Sequence, residues 1–127
     1  MNKRKKRILI VDDDERILES FKAILESKGY SVETAKSAEE GIERIKVHDF
    51  DLALLDIKLP GMEGTDLLAF LDKNKPKMVK IMVTGYPSLE NAVKSLKHGA
   101  DAYIMKPVNP GNLLNVVEKK LREQDSY

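Results

Sequence analysis

Two apolar patterns take turns along this chain, and each predicts a different element. Runs that are apolar at nearly every position mark strands covered on both faces, since a strand with one wet face alternates. Arg7 to Val11 (RILIV) is one such run, and Leu52 to Leu55, leading into Asp56, is another. Met78 to Val83 (MVKIMV), ending at Thr84-Gly85, and Ala102 to Met105, ending at Lys106-Pro107, complete the set. Tyr30 to Ala35 (YSVETA) alternates instead, as an edge strand does.

Between these runs, apolar residues recur at helical spacing. Ile17, Leu18, Phe21, Ile24 and Leu25 share one face of a helix that follows Asp12-Asp13-Asp14-Glu15 and closes at Gly29. Ser37-Ala38-Glu39-Glu40 matches a capping box, and Ala38, Gly41, Ile42 and Ile45 give the helix behind it a narrow inward stripe. After Pro60, a loop with Gly61 and Gly64 leads to a helix through Leu67, Leu68 and Leu71 that stops before Pro76. A fourth helix is predicted from about Ser88 to Gly99, with Leu89, Ala92, Val93 and Leu96 facing inward. Asn109 and Pro110 hold the cap and first-turn positions of a last helix, whose Leu114, Val117 and Leu121 are expected to face in.

Strict alternation of strand and helix through short connections predicts an α/β fold, a parallel sheet wound by right-handed crossovers with helices on both faces. Of the common doubly wound arrangements, the flavodoxin-like order 2-1-3-4-5 suits a five-stranded unit of this size, and it sets the first and third strands side by side at the switch point. Ligands bind there, outside the carboxyl ends of the strands. Asp12, Asp13 and Asp56 then converge on one crevice, flanked by Thr84 and Lys106. At 127 residues the chain is expected to form a single domain, with residues 1–6 a basic tail and about 7–122 the folded body.

Charge changes the picture mainly by its distribution. The formal net charge is +1, but Lys3-Arg4-Lys5-Lys6-Arg7 supplies five of the 22 basic residues; without them 17 basic residues face 21 acidic ones, a charge of −4. An acidic body argues against direct nucleic-acid binding, and the basic run reads as a solvated tail. No apolar run is long enough to span a membrane. The absence of cysteine rules out disulfides and thiolate chemistry and points to the cytoplasm.

Three aspartates in a row at a strand end exceed what helix capping needs, and their mutual repulsion is most easily explained by a cation among them. Carboxylates with no His or Cys beside them are hard oxygen ligands, which favours Mg²⁺ or Mn²⁺. With a point charge on Lys106 and a hydroxyl on Thr84, the set matches the parts of phosphoryl transfer, and Asp56, alone on its strand, is the natural carboxylate nucleophile.

Val11-Asp12-Asp13, Leu55-Asp56 followed by Pro60 and Gly64, Val83-Thr84-Gly85 and Tyr103-Ile104-Met105-Lys106-Pro107 together resemble the signature of response-regulator receiver domains, the family of the chemotaxis regulator CheY. The resemblance runs from about Arg7 to Arg122 and implies the same 2-1-3-4-5 order, which is therefore not an independent inference. It implies that Asp56 takes a phosphoryl group from a histidine kinase. Asp13 and Asp56 would coordinate Mg²⁺ directly, Asp12 largely through water, and the Lys58 carbonyl would add a ligand. Thr84 would hydrogen-bond the phosphoryl group and Lys106 pair with it, while Lys106-Pro107 is a candidate cis bond. Lys58 and Tyr86 are expected to tune hydrolysis, and Tyr103 to turn inward as a switch. The fourth helix, fifth strand and fifth helix would form a phosphorylation-dependent surface for a partner or a second copy, with Leu113 and Val116 contributing from the last helix.

On this reading the protein is a signalling phosphoacceptor and not a turnover enzyme. Its output is left open, as is whether it stands alone or belongs to a longer regulator. His48 and His98 read as surface residues. Asp12-Asp13-Asp14 also contains the Asp-x-Asp of haloacid-dehalogenase-like phosphatases, but Glu15-Arg16 follows where that family has Thr or Val. A flavodoxin relative would need a Gly-rich loop after the first strand. A pseudo-receiver, acting only as a binding module, would not need the intact set.

Overall fold

The computed structural model describes residues 4–85 and 88–126. Strands β1 (Arg7–Val11), β2 (Ser31–Ala35), β3 (Leu52–Asp56), β4 (Val79–Thr84) and β5 (Ala102–Met105) alternate with helices α1 (Glu15–Glu26), α2 (Ala38–Val47), α3 (Gly64–Asn74), α4 (Leu89–Lys97) and α5 (Pro110–Asp125). All strands are parallel, in the order β2-β1-β3-β4-β5, so the flavodoxin-like expectation holds. Against the sequence reading, β2 and β4 each begin one residue later and α5 runs past Arg122.

Alternation along each strand sorts the core into two layers. Ile8, Ile10, Leu52, Leu54, Ile81 and Val83 meet Leu18, Phe21 and Leu25 of α1 and Leu113, Val117 and Leu121 of α5 on one face. Leu9, Val11, Ala53, Leu55 and Met82 meet Ala38 and Ile45 of α2 and Leu67, Leu68 and Leu71 of α3 on the other. Local signals set the helix starts. Ser37 Oγ accepts the Glu40 N–H at 3.1 Å, although the returning Glu40 carboxylate bonds the Lys36 N–H at 3.5 Å, one residue before the cap. Asn109 Oδ1 accepts the Asn112 N–H at 3.2 Å, with Pro110 opening α5.

Two expectations need correction. The apolar stripe of α4 faces solvent: Leu89, Val93 and Leu96 are 81%, 42% and 66% exposed, and the buried residue of the helix is Ser95, bonded back to the Asn91 carbonyl at 2.8 Å. On α5, Leu113 is core and Leu114 only partly buried, because the helix meets the sheet along Leu113, Val117 and Leu121 at i, i+4, i+8. Of the basic run, Lys3 lies outside the described residues, while Arg4 and Lys6 make surface ion pairs. Arg4 pairs with Asp51 at 3.3 Å and Lys6 with Asp125 at 2.6 Å, beside Gln124, which donates to the carbonyls of Asp51 and Lys77 at 3.0 and 2.9 Å. Among the described residues, no helix is long and apolar enough to cross a membrane.

The apolar run of β4 also buries a lysine, which its pattern does not anticipate. Lys80 is 2% exposed, and its ammonium reaches Asp72 of α3 at 3.2 Å.

Candidate functional site

In-register parallel pairing carries the strand ends to one edge: Val11 lies beside Leu55, Asp56 beside Val83, and Thr84 beside Met105. The residues that follow β1, end β3 and β4, and follow β5 therefore share a rim. There the carboxylates of Asp12, Asp13 and Asp56 bring ligand oxygens within 4.8 Å of one another.

The aspartates after β1 divide the work. Asp14 caps α1 by accepting the Arg16 N–H at 2.9 Å, and the Arg16 guanidinium at 3.4 Å, together with that N–H, holds its carboxyl below its ordinary value. Asp12 is buried; one oxygen takes the Asp14 N–H at 2.9 Å and the other the Lys106 ammonium at 2.7 Å. Asp13 is exposed and points its carboxylate into the cluster from the solvent side.

Asp56 is 6% exposed at the end of β3. Its carboxylate accepts the Lys58 N–H at 3.4 Å on one oxygen and Lys106 Nζ at 3.4 Å on the other. Burial first, and then the Asp12 charge, raise its carboxyl above the ordinary value, and Lys106 only partly offsets them. For Lys106, burial works to lower the ammonium, but the hydrogen bond and charge of Asp12, with those of Asp56, outweigh it and the group titrates higher than usual. A cation is thus built into the acidic cluster, bridging β1 and β3 from beyond β5.

Thr84 is fully buried at the end of β4, and its carbonyl accepts the Lys106 N–H at 2.8 Å. The Lys106-Pro107 bond is cis. Tyr103 pairs with Met82 and so shares the sheet face of Thr84; its ring packs on the layer beneath α2 and α3, and its hydroxyl is enclosed with no hydrogen-bond partner among the described residues. Lys58 is exposed beside the cluster, while Tyr86 lies outside the described residues. His48, bonded to Glu33 at 2.6 Å, and His98 end α2 and α4, and helices that return across a parallel sheet place such ends away from this rim. Cavities of about 480 and 500 Å³ open at that other end, around Pro76, Met78 and Gln124.

The donor set fits a hard divalent cation: every candidate ligand is an oxygen, one carboxylate is reachable from solvent, and the two buried ones carry more negative charge than one ammonium balances.

A family profile described as the response regulator receiver domain matches residues 8–118. Among solved structures, a CheY-like response regulator receiver domain protein from Methanospirillum hungatei JF-1 is 61% identical with a TM-score of 0.95, over 97% of this chain and 98% of that one. A response regulator receiver domain protein from Clostridium thermocellum is 33% identical with a TM-score of 0.87, over 94% of this chain and 97% of that one. The cell cycle response regulator CtrA of Brucella ovis is 33% identical over 121 residues, which are 95% of this chain and 52% of that protein. The chain thus spans about half the length of the curated relatives it matches.

Proposed function

Because the chain belongs to the response regulator receiver domain family of two-component systems, we propose that Asp56 is its phosphoacceptor and a histidine kinase its donor. The observation that carries this reading is the convergence of Asp12, Asp13, Asp56 and Lys106 on one rim, with Asp56 the single carboxylate at the end of a doubly buried strand. In the transfer, a phosphohistidine P–N bond breaks as a P–O bond to an Asp56 carboxylate oxygen forms, and the imidazole nitrogen keeps the electron pair.

Asp13, Asp56 and the Lys58 carbonyl would hold Mg²⁺ or Mn²⁺, with Asp12 acting through water. The cation would supply positive charge for the phosphoryl oxygens. Lys106 needs little movement to pair with a phosphoryl group, since it already contacts one Asp56 carboxylate oxygen. The Thr84 hydroxyl follows toward the same group, and Tyr103, whose enclosed hydroxyl gains nothing from its present place, responds on the same face.

The readout surface comprises α4, β5 and α5. The outward stripe of α4, Met105 at 59% exposure and the exposed Lys94 and Lys97 mix apolar and basic groups, with Leu114 and Val116 beside them in place of Leu113. It serves an effector, an output domain or a second copy of the chain. We read the body as a single receiver domain of the cytoplasm, consistent with its lack of cysteine.

Incubation with acetyl phosphate and Mg²⁺, followed by peptide mapping of the trapped adduct, tests the assignment. Label on Asp56 that requires the cation is expected. Label on Asp12 would point to Asp-x-Asp phosphatase chemistry, and label on neither to a binding module.

A further inference from the structure

We propose that Gly64 is a positioning residue for the acceptor: it lets the first turn of α3 close onto the backbone of Asp56 and Ile57, and so sets where the Asp56 carboxylate and the Lys58 carbonyl stand relative to Asp13. The inference rests on Asp56 being the acceptor.

Gly64 is the first residue of α3, and its N–H donates to the Ile57 carbonyl at 2.7 Å. A Cβ added there would lie 1.8 Å from the Asp56 carbonyl oxygen and 2.8 Å from both the Asp56 carbonyl carbon and Ile57 Cα. These are backbone atoms at a strand end, so no side chain can swing aside to make room. The backbone of Gly64 stays out of the left-handed region, unlike that of Gly29, Gly61 and Gly99, so proximity and not conformation demands glycine here. Closest carbon–oxygen approaches are about 3.3 Å, so a methyl group fits only after β3 and α3 part by more than about 1 Å.

That displacement bears directly on the site. The Asp56 carboxylate is held on its outer side by the Lys58 N–H and Lys106, both at 3.4 Å. Moving its backbone from beneath shifts it against Asp13 and carries the Lys58 carbonyl along. Misplacing a reacting group by roughly 1 Å costs about 10²-fold in rate, and disturbing the support of a metal ligand costs roughly 10- to 100-fold in affinity.

Gly64→Ala is compared with wild type and with Gly29→Ala, a change strained by a φ of +90° but with nothing within 4 Å of the added carbon. Gly29→Ala loses stability alone and keeps wild-type labelling per folded molecule. Gly64→Ala, with its folded fraction measured by circular dichroism, is expected to bind Mg²⁺ roughly tenfold more weakly and to be labelled by acetyl phosphate roughly 10 to 100 times more slowly. Folded Gly64→Ala with wild-type Mg²⁺ affinity and labelling overturns the inference. Should Gly64→Ala not fold, the Gly64 amide of the wild type is followed by NMR through a Mg²⁺ titration. A shift saturating together with that of Lys58 supports the clamp, and an unmoved Gly64 amide overturns it. Wild type that binds Mg²⁺ yet takes no label at Asp56 refutes the acceptor assignment, while the Mg²⁺ comparison still decides the role of Gly64.

Discussion

Replacing Asp56 with Asn removes the proposed acceptor and should stabilise the fold in metal-free buffer at neutral pH. At an effective dielectric constant of about 20, carboxylates no more than 4.8 Å apart repel by about 3.5 kcal/mol. Asp12 imposes that repulsion on Asp56 and the solvent-facing Asp13 a screened part of it, while Lys106 at 3.4 Å returns about 5 kcal/mol. Burial of the charge then tips the sum against the ionised form, the direction in which the Asp56 carboxyl is in fact displaced. The Coulomb terms thus nearly cancel, and the gain expected from removing the buried charge is that of an ordinary single substitution, on the order of 1 kcal/mol, or about 3 to 5 °C in Tm for a chain of this size. Because the folded state holds the Asp56 proton more tightly than the unfolded chain does, the carboxylate costs stability at all pH values above its raised folded pKa. The advantage of Asp56→Asn is therefore full at neutral pH, declines as pH falls through that value and vanishes below about 3.9. Urea unfolding of both proteins across this range, without divalent ions, measures the difference. Mg²⁺ at 100 times its dissociation constant should add about 2.7 kcal/mol to the wild type and much less to the variant, reversing their order. Asp56→Asn that is no more stable than wild type in metal-free buffer at pH 7 would refute the electrostatic account of the site.

Asp13→Ala should lose Mg²⁺ binding and phosphorylation together and Asp12→Ala should weaken both less; equal defects in a metal titration would contradict the inner and outer ligand roles. Asp72→Asn should cost about 1 to 3 kcal/mol in urea unfolding by stranding the Lys80 ammonium, whereas Lys80→Met should fall within about 1 kcal/mol of wild type or exceed it. Leu96→Glu should change stability by no more than about 0.5 kcal/mol and yet abolish any self-association seen by sedimentation with beryllofluoride. A large loss of stability would mean that the α4 stripe is core after all. The Tyr103 ring signal in NMR should respond to beryllofluoride in wild type and not in Thr84→Ala, and an equal response would show that Thr84 is not the trigger.

Local pattern was enough for much of this molecule. A run such as RILIV is apolar at successive positions only if both of its faces are covered, so β1 and β3 and the two helical layers over them were legible in the chain itself. Ser37 and Asn109 start their helices through bonds spanning a few residues, and Pro110 through its fixed φ, all of which are legible in the chain. The rim followed as well: once the strands are parallel and in order, whatever follows β1, ends β3 and β4, and follows β5 must meet, and Asp12, Asp13, Asp56, Thr84 and Lys106 do.

What remained depended on contacts between segments far apart in the chain. Periodicity placed Leu89, Val93 and Leu96 on one face of α4, but only the seating of the helix decides whether that face meets the sheet or water. The same freedom, a rotation of part of a turn, exchanged Leu113 for Leu114 on α5. The burial of Lys80 within an apolar strand has its reason only in α3, which brings Asp72 within 3.2 Å of its ammonium. Three consecutive aspartates are chemically alike in the sequence, and it took the Arg16 N–H, the Lys106 ammonium and open solvent to make one a cap, one a buried lysine-paired carboxylate and one an exposed carboxylate. Spacing along the chain records which residues share a face, whereas burial, charge pairing and close backbone approach depend on what stands opposite, and that is settled only when the elements pack.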